Sequence, residues 1–190
     1  MARPRQFDED DVRKALMNVF WEKGYEATSM QDLVDATGLL KGSLYGAFGD
    51  KQALYQIALQ HYDQSYIQAG VDMLGQTGSC PEKIGKLFDS VRESMKSGVF
   101  AGGCLLCNAS VEMAPVDPAI RRIVQNQINR LITAVSKAIQ TDSNPGSAKN
   151  ANTLAGVIVS VYLGTRVIAK AGMPVQMVID AKNQCLAMLS

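Results

Sequence analysis

The sequence predicts an all-α protein, with an N-terminal three-helix unit carrying a helix-turn-helix and a larger helical bundle after it. Three observations predict this. Apolar residues recur every three to four positions along nearly the whole chain, and no stretch alternates with a period of two. Capping residues and glycines interrupt that pattern at helix-length intervals. The composition favours helix formers, with only 6 prolines in 190 residues. With 47% hydrophobic and 19% charged residues, the chain can bury a sizeable core in the ordinary way of globular proteins. A net charge of +1 neither selects nor excludes an acidic partner.

The first helix is expected from Asp8 to Lys23, with Val12, Ala15, Leu16, Val19 and Phe20 on its apolar face. The "DEDD" run falls on its first turn, where the helix dipole favours negative charge, and Gly24 is a natural C-cap. A second helix begins at Thr28 or Ser29, where Thr28 with Gln31, or Ser29 with Asp32, fits a capping box. Gly38 ends it, with positive φ expected. A third short helix starts near Leu40, its apolar face formed by Leu39, Leu44, Tyr45 and Phe48. Asp50 caps a fourth helix running to about Gly75.

Further helices follow at "CPEKIGKLFDSVRESMKSG" and "GCLLCNASVEMA", and another begins after Asp117 with Pro118 in its first turn. The loop "TDSNPGS" separates these from two last helices, about 148–171 and 174–189. Helices are short before Lys51 and longer after it. That shift divides the chain into two units, 1–52 and 53–190.

The stretch "TSMQDLVDATGLLKGSLYGAFGDKQALY" has the parts of a helix-turn-helix: a bracing helix, a glycine turn, and a second helix with one apolar and one polar side. The alternative is a plain helical pair within a bundle. Lys41, Gly42, Ser43 and Gly46 are expected on the outward face, small enough for close approach to a groove. Residues 1–52 hold seven basic against nine acidic side chains, a net of −2. Backbone N–H groups at helix N-termini then have to supply part of the phosphate contact. Candidate ends are the second helix, at Thr28, Ser29 and Met30, and the fourth, at Lys51; Arg3 and Arg5 add an N-terminal arm.

The segment from Gly24 to Tyr55 resembles the TetR (tetracycline-repressor-like) family. The correspondence lies in the Gly-Tyr and Thr-Ser pairs, Gly38, "KGSLY" at Lys41–Tyr45, Phe48, and Lys51 with Leu54. The resemblance implies a homodimeric, cytoplasmic transcription factor, usually a repressor, released from double-stranded operator DNA by a small effector. It also implies a reading role for Tyr45. Two positions depart from the family pattern. Leu40 stands where members commonly carry Ser or Thr as a cap, a loss of about 0.5–2 kcal/mol. Gly46 and Ala47 stand where bulkier polar residues are common.

In the second half, Gly156, Ser160 and Gly164 are spaced by four and allow close approach of another helix. With Val157 on this helix, and Val178 and Leu186 on the last, they form the expected dimer interface; packing within one chain is the alternative. Effector-binding candidates are His61, Tyr62, Tyr66, Asn108, Glu112 and Asn126, taken to line the bundle interior. Cys104 and Cys107 open a helix after a Gly-Gly pair, where the dipole stabilises a thiolate, although no basic residue is close in sequence. They are read either as buried small residues or as a sensor of oxidants and electrophiles.

No catalytic triad, metal signature or phosphate loop is present, and a single histidine narrows general-base chemistry. The expectation is therefore a non-enzymatic regulator without metal or cofactor; the competing reading is a thiol-based redox protein using Cys104 and Cys107. "MARPRQFDEDD" lacks the apolar run of a signal peptide. The apolar run from Leu154 meets Arg166 and Lys170, which is read as too early for a membrane span of roughly 20 residues.

Overall fold

The computed structural model describes residues 8–97, 103–142 and 150–189. Among these residues the chain is helical, without strands. The elements are α1 (Glu9–Lys23), α2 (Met30–Thr37), α3 (Lys41–Phe48), α4 (Lys51–Tyr62), α5 (Gln68–Gly75), α6 (Cys80–Ser97), α7 (Leu105–Glu112), α8 (Pro118–Thr141), α9 (Ala151–Lys170) and α10 (Gln176–Ala187). The long fourth helix expected from sequence is there, but it is not uniform. A π-helical segment, Asp63–Ile67, joins α4 to α5 and widens the turn at mid-length.

Helices α1 to α3 close around Leu16, Phe20, Leu33 and Leu44, all fully buried. Each buried leucine or phenylalanine contributes about 1.5–3 kcal/mol relative to exposure. Helix α4 is shared between the two halves. Its Leu54 and Tyr55 complete the core of the head, where Tyr55 meets Phe20 edge-on at 4.9 Å. The expected division at residue 52 therefore falls within a continuous helix and not in a linker. The Asp50 carboxylate caps α4 by accepting from the Ala53 N–H at 2.9 Å.

The bundle forms around α8 and α9, flanked by α5, α6 and α10. Asp117 caps α8 as expected, with Pro118 in the first turn. Among the described residues α9 has the length and apolar composition of a membrane span, so the sequence-based objection fails on length: the helix runs 20 residues, Ala151–Lys170. Its inward stripe, Ala155, Ile158, Val159, Tyr162 and Arg166, is buried within the bundle.

Candidate functional site

The head presents α3 outward. Leu44 is its only fully buried residue and anchors it on α1 and α2. Lys41, Gly42, Ser43, Tyr45, Gly46 and Ala47 are all exposed. Nothing stands within 4 Å of where a Cβ would lie on Gly42 or Gly46, so this side is open to a groove. Leu40 is 79% exposed and gives α3 no side-chain cap, which leaves the first N–H groups of the helix uncovered. The Lys41 ammonium lies over the Tyr45 ring, 5.9 Å from its centre.

The bracing helix is fixed by local polar contacts. Of the two capping boxes legible in the sequence, Ser29 with Asp32 forms: Ser29 Oγ accepts from the Asp32 N–H and Asp32 Oδ2 accepts from the Ser29 N–H. Lys23 donates to Asp32 Oδ1 at 2.6 Å, and with the Ser29 donors it holds this carboxyl down to about 2. One acidic charge near the reading face is thereby matched by a lysine of α1. Gly38 closes α2 in the left-handed region, φ 67°, as its position requires.

Not every expected DNA contact faces outward. Thr28 is buried, and its Oγ1 donates to the Gly24 carbonyl at 2.6 Å, so it has no hydroxyl to offer a phosphate. Lys51 is half-buried, over the Tyr25 ring at 4.4 Å, with its ammonium donating to the Glu26 carbonyl. Ser29 is exposed and Met30 half-buried at the start of α2. Arg3 and Arg5 lie outside the described residues.

A second site sits inside the bundle at the start of α7. Cys104 is the N-cap residue, in extended conformation, and Cys107 lies on the first turn. The Cys107 thiol and backbone N–H donate to the Cys104 sulfur, and the buried Arg166 guanidinium adds its charge. The Tyr62 hydroxyl completes the set at 3.3 Å. Together these hold Cys104 well below the ordinary thiol range, while the same contact pushes Cys107 up. Of the two thiols, Cys104 is thus the one that the site favours for deprotonation. Cys80 and Cys185 differ: burial raises both, and Cys80 is pushed up to about 11.

Sequence reasoning found no basic neighbour for this pair because it looked along α7. The cation comes from α9, far along the chain. A signal was present: Arg166 falls on the buried stripe of that helix, spaced from Ala155, Ile158 and Tyr162 by helical turns. Lys170, one turn on, packs on Gly103, where a Cβ would lie 2.6 Å from the Lys170 side chain. A pocket of about 350 Å³ opens from the surface onto Cys104, Cys107 and Arg166, with Lys23, Lys170 and Glu112 at its walls.

Helix α7 is tied to the head at both ends. At its start, Trp21 of α1 donates its indole N–H to the Gly103 carbonyl at 3.2 Å. At its end, the Glu112 carboxylate accepts from the backbone N–H groups of Tyr25 and Glu26 at 2.9 and 2.8 Å. These amides belong to the turn between α1 and α2. Glu112, an expected effector ligand, thus pairs with two amides of the head while it also lines the thiol pocket.

Comparison with known proteins agrees with this architecture. Residues 12–57 match the model of bacterial regulatory proteins of the tetR family, and residues 80–177, half of the chain, match the tetracyclin repressor-like C-terminal domain. The chain belongs to the TetR family. As a TetR-family transcriptional regulator it is 29% identical over 153 residues to the uncharacterized HTH-type regulator YezE of Bacillus subtilis (strain 168), covering 80% of this chain and 79% of that one. It is 31% identical over 115 residues to the repressor ComR of Escherichia coli (strain K12), covering 60% and 55%. A solved structure of CifR, a cysteine-substituted TetR-family regulator bound to a 26-base-pair operator, superposes with a TM-score of 0.85 at 28% identity, covering 97% and 98%.

The remaining effector candidates of this TetR-family chain do not converge on one cavity. His61 is buried against α1, its Nδ1 3.6 Å from an Asp10 carboxylate oxygen. Tyr62 and Tyr66 border a void with Cys104, Tyr162 and Arg166, but it measures about 10 Å³, less than one water needs. The space bordered by these two tyrosines is thus too small for a ligand in this structure. Asn108 accepts from Lys170 at 3.1 Å at the mouth of the thiol pocket. Asn126 is exposed, in a separate groove on α8.

The small-residue stripe faces away from the protomer. Nothing in the chain stands within 4 Å of a Cβ built on Gly156 or Gly164, and Val157, Ser160 and Gly164 are exposed. Val167 on α9, Met177 on α10 and Met188 just after α10 are also exposed. Val178 is the exception to the expected interface: it is buried within its own protomer. Leu186 is half-buried.

Proposed function

We propose that this chain is a cytoplasmic, homodimeric repressor that binds operator DNA through α3 and releases it when Cys104 is modified by a small electrophile or oxidant. The observation that carries this reading is the position of α7. One end holds an activated thiolate in reach of a surface pocket, and the other end grips the turn that braces the reading helix. The cysteine-substituted CifR variants on operator DNA are consistent with a regulator whose thiols matter.

With an α,β-unsaturated carbonyl the step is a conjugate addition. The Cys104 sulfur forms a bond to the β-carbon, the carbon–carbon π electrons move to an enolate, and the enolate takes a proton from water, releasing hydroxide to solvent. The product carries no charge on the Cys104 sulfur. The balance of charge around the buried Arg166 guanidinium is thereby changed, which favours repacking of α7. Because Trp21 and Glu112 link α7 to α1 and to the turn after it, repacking shifts the head. A two-state change in the spacing of two heads on one duplex needs no new contact with DNA.

The outward face of α9 and α10 supplies the dimer. Small residues at Gly156, Ser160 and Gly164 permit close helix crossing, and Val157, Val167, Met177 and Met188 provide apolar area. Ser160→Arg places a charge in that crossing. It is expected to give a folded monomer by sedimentation and to lower operator affinity by roughly 100-fold, since two linked heads bind far better than one.

A thiol-disulfide enzyme is the second reading. Cys104 is 2% exposed, which favours attack on small molecules entering the pocket over exchange with a protein disulfide. The deciding experiment treats the protein with N-ethylmaleimide, follows adduct formation by intact mass and operator binding by gel shift, and repeats both with Cys104→Ser. One adduct at Cys104 with loss of the shift supports the proposal. Full adduct formation at Cys104 with operator binding unchanged overturns it.

A further inference from the structure

A further groove among the described residues is separate from the thiols. It measures about 890 Å³, runs along the outer face of α8, and shares no lining residue with the thiol pocket. Its floor is apolar, built from Val71 and Leu74 of α5 and Ala134 and Ala138 of α8. Lys83, Arg130 and Lys137 line it, and no carboxylate does so among the described residues. Neither Lys83 nor Lys137 takes part in a described ion pair. In a chain of net charge +1, two lysines outside the described ion pairs, beside an arginine paired only at its far edge with Asp63, give this apolar trough a positive rim that suits an anion.

Arg130 gives this groove a connection to the rest of the fold. Its guanidinium donates to Asp63 and Gln68, the first residue of the π-helical segment and the residue just after it. The second oxygen of Asp63 is buried without a hydrogen-bond partner. Arg130 therefore clamps the wide turn of the helix that leads from the head into the bundle, and it does so beside an incompletely satisfied carboxylate. A π-helical turn of this kind is a common place for a helix to be adjustable.

We propose that this groove is a binding site for an amphipathic carboxylate, with the apolar body over Val71, Leu74, Ala134 and Ala138 and the carboxylate held by Lys83, Lys137 and the planar fork of Arg130. The fork of a guanidinium matches a carboxylate in two parallel hydrogen bonds, which a lysine alone does not offer. A cavity of this volume suits a medium-sized organic ligand. The ligand carboxylate competes with Asp63 for Arg130, so occupancy loosens the clamp on the π-helical segment. The site is independent of the thiol reading, because it uses none of its residues.

The test is calorimetric titration of the full chain with sodium octanoate and, as the uncharged match, 1-octanol. The proposal expects octanoate to bind at least about ten-fold more tightly than 1-octanol. The variant Lys83→Gln/Lys137→Gln should bring octanoate down to the level of the alcohol, with the melting temperature retained. Ala134→Glu, which puts a carboxylate into the half-buried floor, should abolish octanoate binding. Cys104→Ser should leave octanoate binding intact, which separates this site from the thiol pocket. No binding of octanoate, equal affinity for the two ligands, or full affinity in the double lysine variant overturns the proposal.

Discussion

Helices α3 and α7 are a matched pair that the fold uses in opposite ways. Each is eight residues long, and each starts at a residue without a hydroxyl or carboxylate to cap it, Leu40 in one and Cys104 in the other. Each presents N–H groups at a positive dipole end, with a cation nearby: Lys41 for α3 and Arg166 for α7, where the Cys104 sulfur takes the Cys107 N–H. In α3 only Leu44 is fully buried, whereas α7 buries Leu105, Leu106 and Ala109. In the proposed function the outward helix takes its negative charge from a phosphate, and the inward helix supplies its own on the Cys104 sulfur. On that proposal the same electrostatic device makes a reading surface when exposed and a reactive sulfur when enclosed.

The largest expected effect comes from spoiling the open side of α3. Gly46→Glu places a carboxylate where the structure leaves space, so the fold should persist while operator affinity falls on the order of 100-fold. Lys41→Ala removes a cation without adding a repulsion. It should cost about 1–3 kcal/mol of operator binding with no change in melting temperature. Equal operator affinity in both variants, measured by fluorescence anisotropy at fixed salt, would remove α3 from the reading role.

On the inward helix the matching change is Arg166→Met. Loss of the buried cation should move Cys104 back toward the ordinary thiol value, seen as a rightward shift of the thiolate absorbance near 240 nm against pH. The sign of the linked stability follows from the same charges. Cys104 titrates lower in the folded than in the unfolded chain, so folding releases a proton and stability rises with pH up to the unfolded thiol value near 9. That contribution is lost as pH falls through the depressed Cys104 value. Above 9 the slope reverses, because folded Cys107 keeps its proton longer than unfolded thiols do. Cys104→Ser should flatten the rising limb in a series of urea titrations across pH, while burial of Cys80, Cys107 and Cys185 keeps the falling limb.

The smallest effect sharpens the comparison at the cap itself. Leu40→Ser gives α3 the side-chain acceptor it lacks and should stabilise the protein by about 0.5–1 kcal/mol. Thermal melts of the two proteins at one pH are sufficient to read it.

What the sequence disclosed follows from how local each signal is. The head was legible because its devices act within four residues: Ser29 with Asp32, the left-handed Gly38, and the anchor Leu44. The departure at Leu40 was likewise visible, and the uncapped start of α3 is its consequence. The thiol site was half legible. The position of Cys104 at a helix start could be read, but its cation comes from α9 and its hydroxyl from Tyr62, and no spacing along α7 announces either. Thr28 was harder to place for the converse reason: a polar side chain at a helix start can turn inward, as its Oγ1 does on the Gly24 carbonyl. Glu112 looked like a ligand because it is an acid at a helix end near the cysteines, yet its acceptors meet two backbone amides 86 and 87 residues away in sequence.

The most direct test of the link between the two helices is operator binding by Glu112→Gln before and after alkylation. Gln offers one acceptor oxygen to the two amides of Tyr25 and Glu26, so α7 keeps its thiolate but loses much of its grip on the head. The account predicts that N-ethylmaleimide still adds once at Cys104 by intact mass, while the accompanying loss of operator affinity shrinks at least about ten-fold relative to wild type. An unchanged loss of affinity on alkylation of Glu112→Gln would contradict it.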